Sequence, residues 1–332
     1  MLRCVVTRTT YLLHGCTVQS ELPLLAARAA QGVLAGDSPL VVELGESRTI
    51  PAAAPAGTVL ATVAHNEHSD RTFYTAVSDG GELVFRVHGC CDVVVAPSRS
   101  RLVCHLDPAA DPELVAVYLE GMVLAFLLGM QGQPVLHASA VSCAALGGRG
   151  VAIAGGAGVG KSTVTALLCA AGCTFVTDDL LRLGLVEGRA VVRGGCSELR
   201  LRTSGDVVLD AFAEPGPPVR TAADGRLAVR LPYDERESVD LVAVVLPWPS
   251  RELGHVELER LAPAEALVEL ARAPKLVGWR ARDVLQGQLD ALTRLVGLVP
   301  AFRARVPWLP VPTSAGAEKL VGALACALSG SA

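Results

Sequence analysis

Gly155-Gly156-Ala157-Gly158-Val159-Gly160-Lys161-Ser162-Thr163 carries the densest signal in the 332-residue chain. An apolar run, Gly150-Val151-Ala152-Ile153-Ala154, precedes it, and a helix-forming segment, Ser162 to Ala171, follows. Strand, glycine loop and helix in that order make a phosphate-binding P-loop. Glycines let the backbone curl until successive N–H groups face the phosphates, and the helix N-terminus adds a positive field. In that arrangement Lys161 reaches the β- and γ-phosphates and the Ser162 hydroxyl ligates Mg²⁺. The expected ligand-binding set is Gly155, Gly156, Ala157, Gly158, Val159, Gly160, Lys161, Ser162 and Thr163, with ATP and Mg²⁺ as cofactors. The motif does not separate ATP from another nucleoside triphosphate or pyrophosphate.

Downstream, Gly172 can end the helix, and Cys173-Thr174-Phe175-Val176-Thr177 reads as a strand delivering Asp178-Asp179 at its C-terminal end. A carboxylate there can hold Mg²⁺ directly or through water, and an adjacent one can accept a proton from an attacking hydroxyl. The bland alternative is an acidic turn before Leu180-Leu181-Arg182-Leu183. The loop one helix and one strand upstream favours the functional reading. Before the loop, Gln133 to Ser142 reads as a strand joined to Gly150–Ala154 through the turn Leu146-Gly147-Gly148-Arg149.

Composition narrows the field. Half the residues are apolar (51%), aromatics are scarce (4%), and the formal net charge is −4. Such a balance gives no electrostatic reason to expect a nucleic-acid partner. The ten cysteines include no Cys-x-x-Cys pair, and Met1-Leu2-Arg3-Cys4 opens no secretory signal, so buried thiols in a reducing, cytoplasmic setting are expected.

The front of the chain reads as strands and turns. Tyr11 to Leu24 is β-like and Leu40–Leu44 is a strand. Pro51 to Gly57 is a loop, 72–77 and 82–87 form a hairpin, and 91–96 pairs with 100–105. His65 and His68 are three apart without evident further ligands and read as loop histidines, while His14, His88 and His105 read as structural. Asp111 can cap a helix with Pro112 at its first position. Leu114 to Met130 is nearly all apolar, at the short limit for a membrane span and interrupted by Glu120, so a buried linking helix is expected rather than a span.

Beyond residue 182, 190–193 and 227–231 are expected strands, and Asp240 to Leu246 is a central one. Arg226 and Arg230 lie in a segment able to cover phosphates, although a solvated arginine is the simpler reading of each. Helices are expected at Pro263–Ala273, Ala281–Leu298 and Ala315–Leu328.

The order Leu136-His137-Ala138-Ser139-Ala140-Val141, then Gly155 to Thr163, then Gly172 to Asp179 resembles the C-terminal catalytic domain of HPr kinase/phosphorylase. The likeness is strongest over about residues 133–182. The front region is similar to HPr-kinase-like proteins found beside peptide natural-product biosynthesis enzymes, some of which phosphorylate a precursor peptide. The resemblance implies an α/β, P-loop core related to phosphoenolpyruvate carboxykinase, with a β-rich N-terminal region. It divides the chain into a β-rich part, 1–132, ending in the linking helix, and a nucleotide-binding catalytic domain, 133–332. It also implies Asp179 as the base on the acceptor hydroxyl, Asp178 with Ser162 on the metal, His137 near a phosphate or the acidic pair, and Lys161 on the phosphates. Glu198 is implied as an acidic residue completing the metal site, an ordinary strand position being the equal alternative. The bifunctional enzyme's long signature after the acidic pair and its C-terminal Arg/Asn loop are not recognisable, so neither HPr as substrate nor phosphorolysis carries over.

The expectation is an ATP- and Mg²⁺-dependent kinase transferring the γ-phosphoryl group to a Ser/Thr hydroxyl of a peptide or small protein, with a free small molecule as another acceptor. The rival is a nucleotide-binding regulatory or partner protein that transfers nothing. Homo-oligomerisation is left open.

Overall fold

The computed structural model describes residues 7–30, 38–64, 72–250, 253, 255–307 and 314–329. Cys4, His65 and His68 lie outside the described residues. The chain divides into two units, Met1–Gln131 with Leu276–Gln286, and Gly132–Lys275 with Gly287–Ala332.

In the first unit, β1 (Thr9–Leu13), β2 (Cys16–Ser20), β3 (Arg28–Ala29), β4 (Leu40–Leu44), β5 (Thr58–Ala64), β6 (Thr72–Asp79), β7 (Glu82–Val87), β8 (Cys91–Val95) and β9 (Arg101–Leu106) form one sheet. Its order is β3-β1-β2-β4-β9-β8-β7-β6-β5. Only β4 pairs in parallel, with β2 and with β9; the rest is antiparallel. Gly80 and Gly81, both at positive φ, make the two-residue β6–β7 turn whose twist matches the strands. Buried Asp92 is held by the Arg86 guanidinium through two hydrogen bonds of 2.7 and 2.8 Å, which offsets the cost of burying its charge.

After the sheet come α1 (Pro112–Tyr118), a π-helical turn at Leu119–Val123, and α2 (Leu124–Met130). Asp111 caps α1 by accepting from the Glu113 N–H at 2.8 Å. The continuous helix Pro112–Met130 is long and apolar enough to cross a membrane by length and composition, and 67% of its most apolar window is buried within the molecule. Glu120 has a local partner set in the protein: its carboxylate accepts the N–H groups of Ala26 (2.9 Å) and Ala27 (3.3 Å). That answers why a carboxylate interrupts an apolar run.

The sequence reading assigned all of 133–332 to one domain, but Leu276–Gln286 belongs with the first unit. Apolar contact explains it. The Trp279 ring stacks on Phe126 at 5.3 Å, Trp279 bridges to Ala61, and the Tyr74 hydroxyl donates to the Val277 carbonyl. Gly278 permits the approach: at φ +75°, a Cβ there would stand 2.0 Å from the Thr62 carbonyl oxygen.

The second unit contains β10 (Val135–Leu136), β11 (Ala138–Cys143), β12 (Arg149–Ala154), α3 (Lys161–Ala170), β13 (Thr174–Thr177), β14 (Leu181–Val186), β15 (Arg189–Arg193), β16 (Glu198–Leu201), β17 (Val219–Thr221), β18 (Leu227–Arg230), β19 (Ser238–Ser250), β20 (Glu257–Arg260), α4 (Pro263–Ala271), the part of α5 (Arg282–Leu298) from Gly287 onward, β21 (Ala301–Pro307) and α6 (Ser314–Ser329). The main sheet runs β10-β14-β15-β19-β12-β11-β13, with β21 also on β19 and β20 on β21. The β12–β19 and β19–β21 pairings are parallel. Apolar β19 is central, and it contributes Val239, Leu241, Val244 and Leu246 to a core shared with Ala152, Ala154 and Val176. A separate three-stranded sheet, β16-β18-β17, is built from residues 198–230.

One expectation about the cysteines fails. The antiparallel register sets Ser142 opposite Thr174, which brings Cys143 beside Cys173, and the two form a disulfide rather than free thiols. Cys90, Cys91, Cys104 and Cys196 are buried free thiols as expected.

Candidate functional site

Strand β12 ends at Ala154 and α3 begins at Lys161, leaving the glycine run as the loop between them. Gly155, Gly158 and Gly160 have φ values of +138°, +82° and +89°, backbone that a side chain would strain. Gly160 caps α3 without a side-chain hydrogen bond, so the free N–H groups of the first turn have no side-chain cap. Lys161 folds back over the loop, donating to the carbonyls of Gly155 (2.8 Å) and Gly156 (2.7 Å). Burial pushes its ammonium down to about 8; the charges of Lys275 and Arg226 add to the fall, while Asp178 and Asp179 oppose it.

At the end of β13 the two carboxylates diverge. Asp178 is 4% exposed and turns toward the loop. It accepts the Ser139 hydroxyl (2.5 Å), the Ser162 hydroxyl (3.2 and 3.3 Å to its two oxygens) and the Arg200 N–H (3.0 Å). Its own N–H donates to the Cys196 sulfur at 3.4 Å. Asp179 adopts φ +67°, unusual for a residue with a side chain, and its carboxylate meets other partners. Lys275 Nζ lies 2.6 Å from Oδ2, and His137 Nδ1 lies 3.4 Å from Oδ1 and 3.1 Å from the Asp179 carbonyl. Burial works to raise the Asp179 pKa, yet the Lys275 charge and the His137 hydrogen bond outweigh it and hold the carboxyl well below the usual range.

The structure thus gathers Lys161, Ser162, Asp178, Asp179 and His137 through direct contacts or field effects. It does not bring Glu198 to them as a ligand. Buried Glu198 is clamped by Arg220 (2.9 and 3.3 Å) and Arg230 (3.5 Å), so its oxygens answer guanidinium groups on β17 and β18. Glu198 is thus partnered by guanidinium groups in this structure, and Arg230 is tied to it. Among the described residues no group of three or more His, Cys, Asp or Glu side chains could hold a metal. The oxygens of Ser162 and Asp178 are hard donors that could hold a cation such as Mg²⁺, which keeps waters and takes few protein ligands.

Sequence reasoning missed Lys275. It follows α4, where Pro274 bridges to Leu136, the residue before His137. No motif marks a lysine 96 positions from its carboxylate. Ser139 and Arg200, which complete the shell of Asp178, were likewise not assigned a role. No protein-family model matches the chain, and no curated protein matches it.

Proposed function

We propose that the second unit is a P-loop core of the phosphoenolpyruvate carboxykinase/HPr-kinase type acting as an ATP- and Mg²⁺-dependent phosphotransferase on a hydroxyl. The observation that carries this reading is the divergence of the acidic pair. Asp178 faces the Ser162 hydroxyl at the mouth of the glycine loop, while Asp179 turns away to His137 and Lys275. On this reading one carboxylate serves a metal and its neighbour an acceptor.

The loop amides and the α3 N-terminus would cradle the phosphates. Lys161, whose ammonium now rests on two backbone carbonyls, would exchange them for phosphate oxygens. Ser162 and Asp178 would hold Mg²⁺, which when bound supplies charge neutralisation on the β- and γ-oxygens. In the transfer, the acceptor oxygen forms a bond to γ-phosphorus and the bond from phosphorus to the bridging oxygen breaks, its electron pair leaving on ADP. The hydroxyl proton passes to the Asp179 carboxylate and on to solvent. Held ionised by Lys275, Asp179 is a weak base, but a loose phosphoryl-transfer transition state asks more for orientation of the hydroxyl than for early proton removal.

The acceptor class we favour is a Ser/Thr hydroxyl on a peptide or small protein in the cytoplasm. The reading includes no membrane span and no nucleic-acid partner. The second reading, a nucleotide-binding partner protein without transfer, has one observation in its favour: the Asp179–Lys275 ion pair occupies the proposed base. Incubating the protein with MgATP and a pool of Ser/Thr peptides, followed by mass spectrometry, separates the two. Phosphate on peptide supports transfer; tight MgATP binding with no phosphorylated product supports the second reading.

A further inference from the structure

Arg200, Arg202, Arg220, Arg226 and Arg230 fall between the start of β16 and the end of β18. Four of them have carboxylate partners: Arg220 and Arg230 hold Glu198, while Arg200 (3.9 Å) and Arg226 (3.7 Å) face Asp224. Arg202 is the exception. It is the exposed residue just after β16, and among the described residues no carboxylate stands within ion-pair range of its guanidinium.

Its surroundings say what it could meet. Both terminal nitrogens of Arg202 lie 3.8 Å from the point that a Cβ on Gly158 would occupy, which sets the guanidinium against the glycine loop itself. Gly158 has no side chain to block that approach, and its φ of +82° suits only glycine well. The charge of Arg226 also reaches Lys161, where the Asp178 and Asp179 carboxylates oppose it, and among the described residues no ion pair engages Arg202 itself. A guanidinium offers a planar fork of donors, which fits two oxygens of one phosphoryl group better than an ammonium does.

We propose that Arg202 is a phosphate-contacting residue whose guanidinium binds the terminal phosphoryl oxygens of a nucleoside triphosphate seated in the loop. This rests on the phosphate-binding reading of Gly155–Thr163. Backbone amides of such a loop serve the inner phosphates. A side chain that approaches the loop from outside meets the phosphoryl group projecting from it. Arg202 therefore distinguishes triphosphate from diphosphate, and it belongs with the residues that stabilise charge during transfer.

The test is isothermal titration of the full chain with MgATP and, separately, with MgADP, for wild type, Arg202→Ala, Arg202→Gln and Lys161→Ala. Two Arg202 variants guard against an artefact of either, and a thermal melt of each checks folding. The expected result is MgATP binding about tenfold weaker in both Arg202 variants, with MgADP changed by less than about twofold. Unchanged MgATP affinity overturns the proposal. So does an equal loss for MgADP, which would put the contact on an inner phosphate. A wild type that binds neither nucleotide, and so does not differ from Lys161→Ala, overturns the loop reading and this proposal with it.

Discussion

Lys275 Nζ lies 2.6 Å from Asp179 Oδ2, and the lysine is only 7% exposed. A buried ammonium thus meets a partly exposed carboxylate in the second unit, joining the end of β13 to the segment after α4. Removing the lysine by Lys275→Met leaves the carboxylate without its strongest counter-charge. Stability at neutral pH falls by about 2 kcal/mol, read by urea unfolding. Asp179 has a depressed folded pKa, so its contribution is full above the unfolded carboxyl value of about 4 and is lost as pH falls through the lower folded value. The Lys275→Met variant accordingly shows a shallower loss of stability below about pH 4 than the wild type does. Equal acid dependence in the two proteins counts against the ion pair.

Asp179→Asn keeps the shape of the side chain and removes its charge. Nucleotide affinity stays within about threefold of wild type, because the loop and Lys161 do the holding, while phosphate transfer falls at least about a hundredfold. Full activity in this variant would remove Asp179 from the acceptor role.

Lys161 gives a second pH signature. Its ammonium sits at about 8, displaced first by burial. An anion binds the protonated form, so MgADP affinity declines as pH rises through about 8, and at pH 9 it is about tenfold weaker than at pH 7. Bound phosphate raises that value in the complex. Titrations at the two pH values check the slope, and Lys161→Met should bind weakly with a flat profile.

Gly278→Ala tests the first unit. The new Cβ would stand 2.0 Å from the Thr62 carbonyl oxygen at a φ of +75°. Backbone has to move, at a cost of about 3–5 kcal/mol, and the thermal midpoint drops accordingly. A variant as stable as wild type would mean that the Trp279 segment does not pack on β5 in this way.

These predictions separate what local sequence reveals from what it hides. The glycine loop is legible because its residues are contiguous and each works through its own backbone or the next side chain. Asp178-Asp179 is legible as the end of a short apolar strand. Which carboxylate faces Ser162 is not, since it depends on the left-handed turn at Asp179. Glu198 looked like a site acid in Ser197-Glu198-Leu199-Arg200, but nothing local shows that β17 and β18 place Arg220 and Arg230 against it. Strand β21 went unread because Ala301-Phe302-Arg303-Ala304-Arg305 carries two charges, which the fold matches with Glu257, Glu259 and Glu265. The Trp279 segment lies far in sequence from the strand it joins, so its membership of the first unit is a tertiary fact alone.

The most direct measurement is transfer itself. The protein is incubated with MgATP labelled at the γ-phosphate and a pool of Ser/Thr peptides, beside the Asp179→Asn variant, and peptide-bound label is counted. Label appearing on a peptide hydroxyl with wild type and lost with Asp179→Asn is the predicted result. Wild type that binds MgATP yet labels no peptide above the Asp179→Asn background would contradict it.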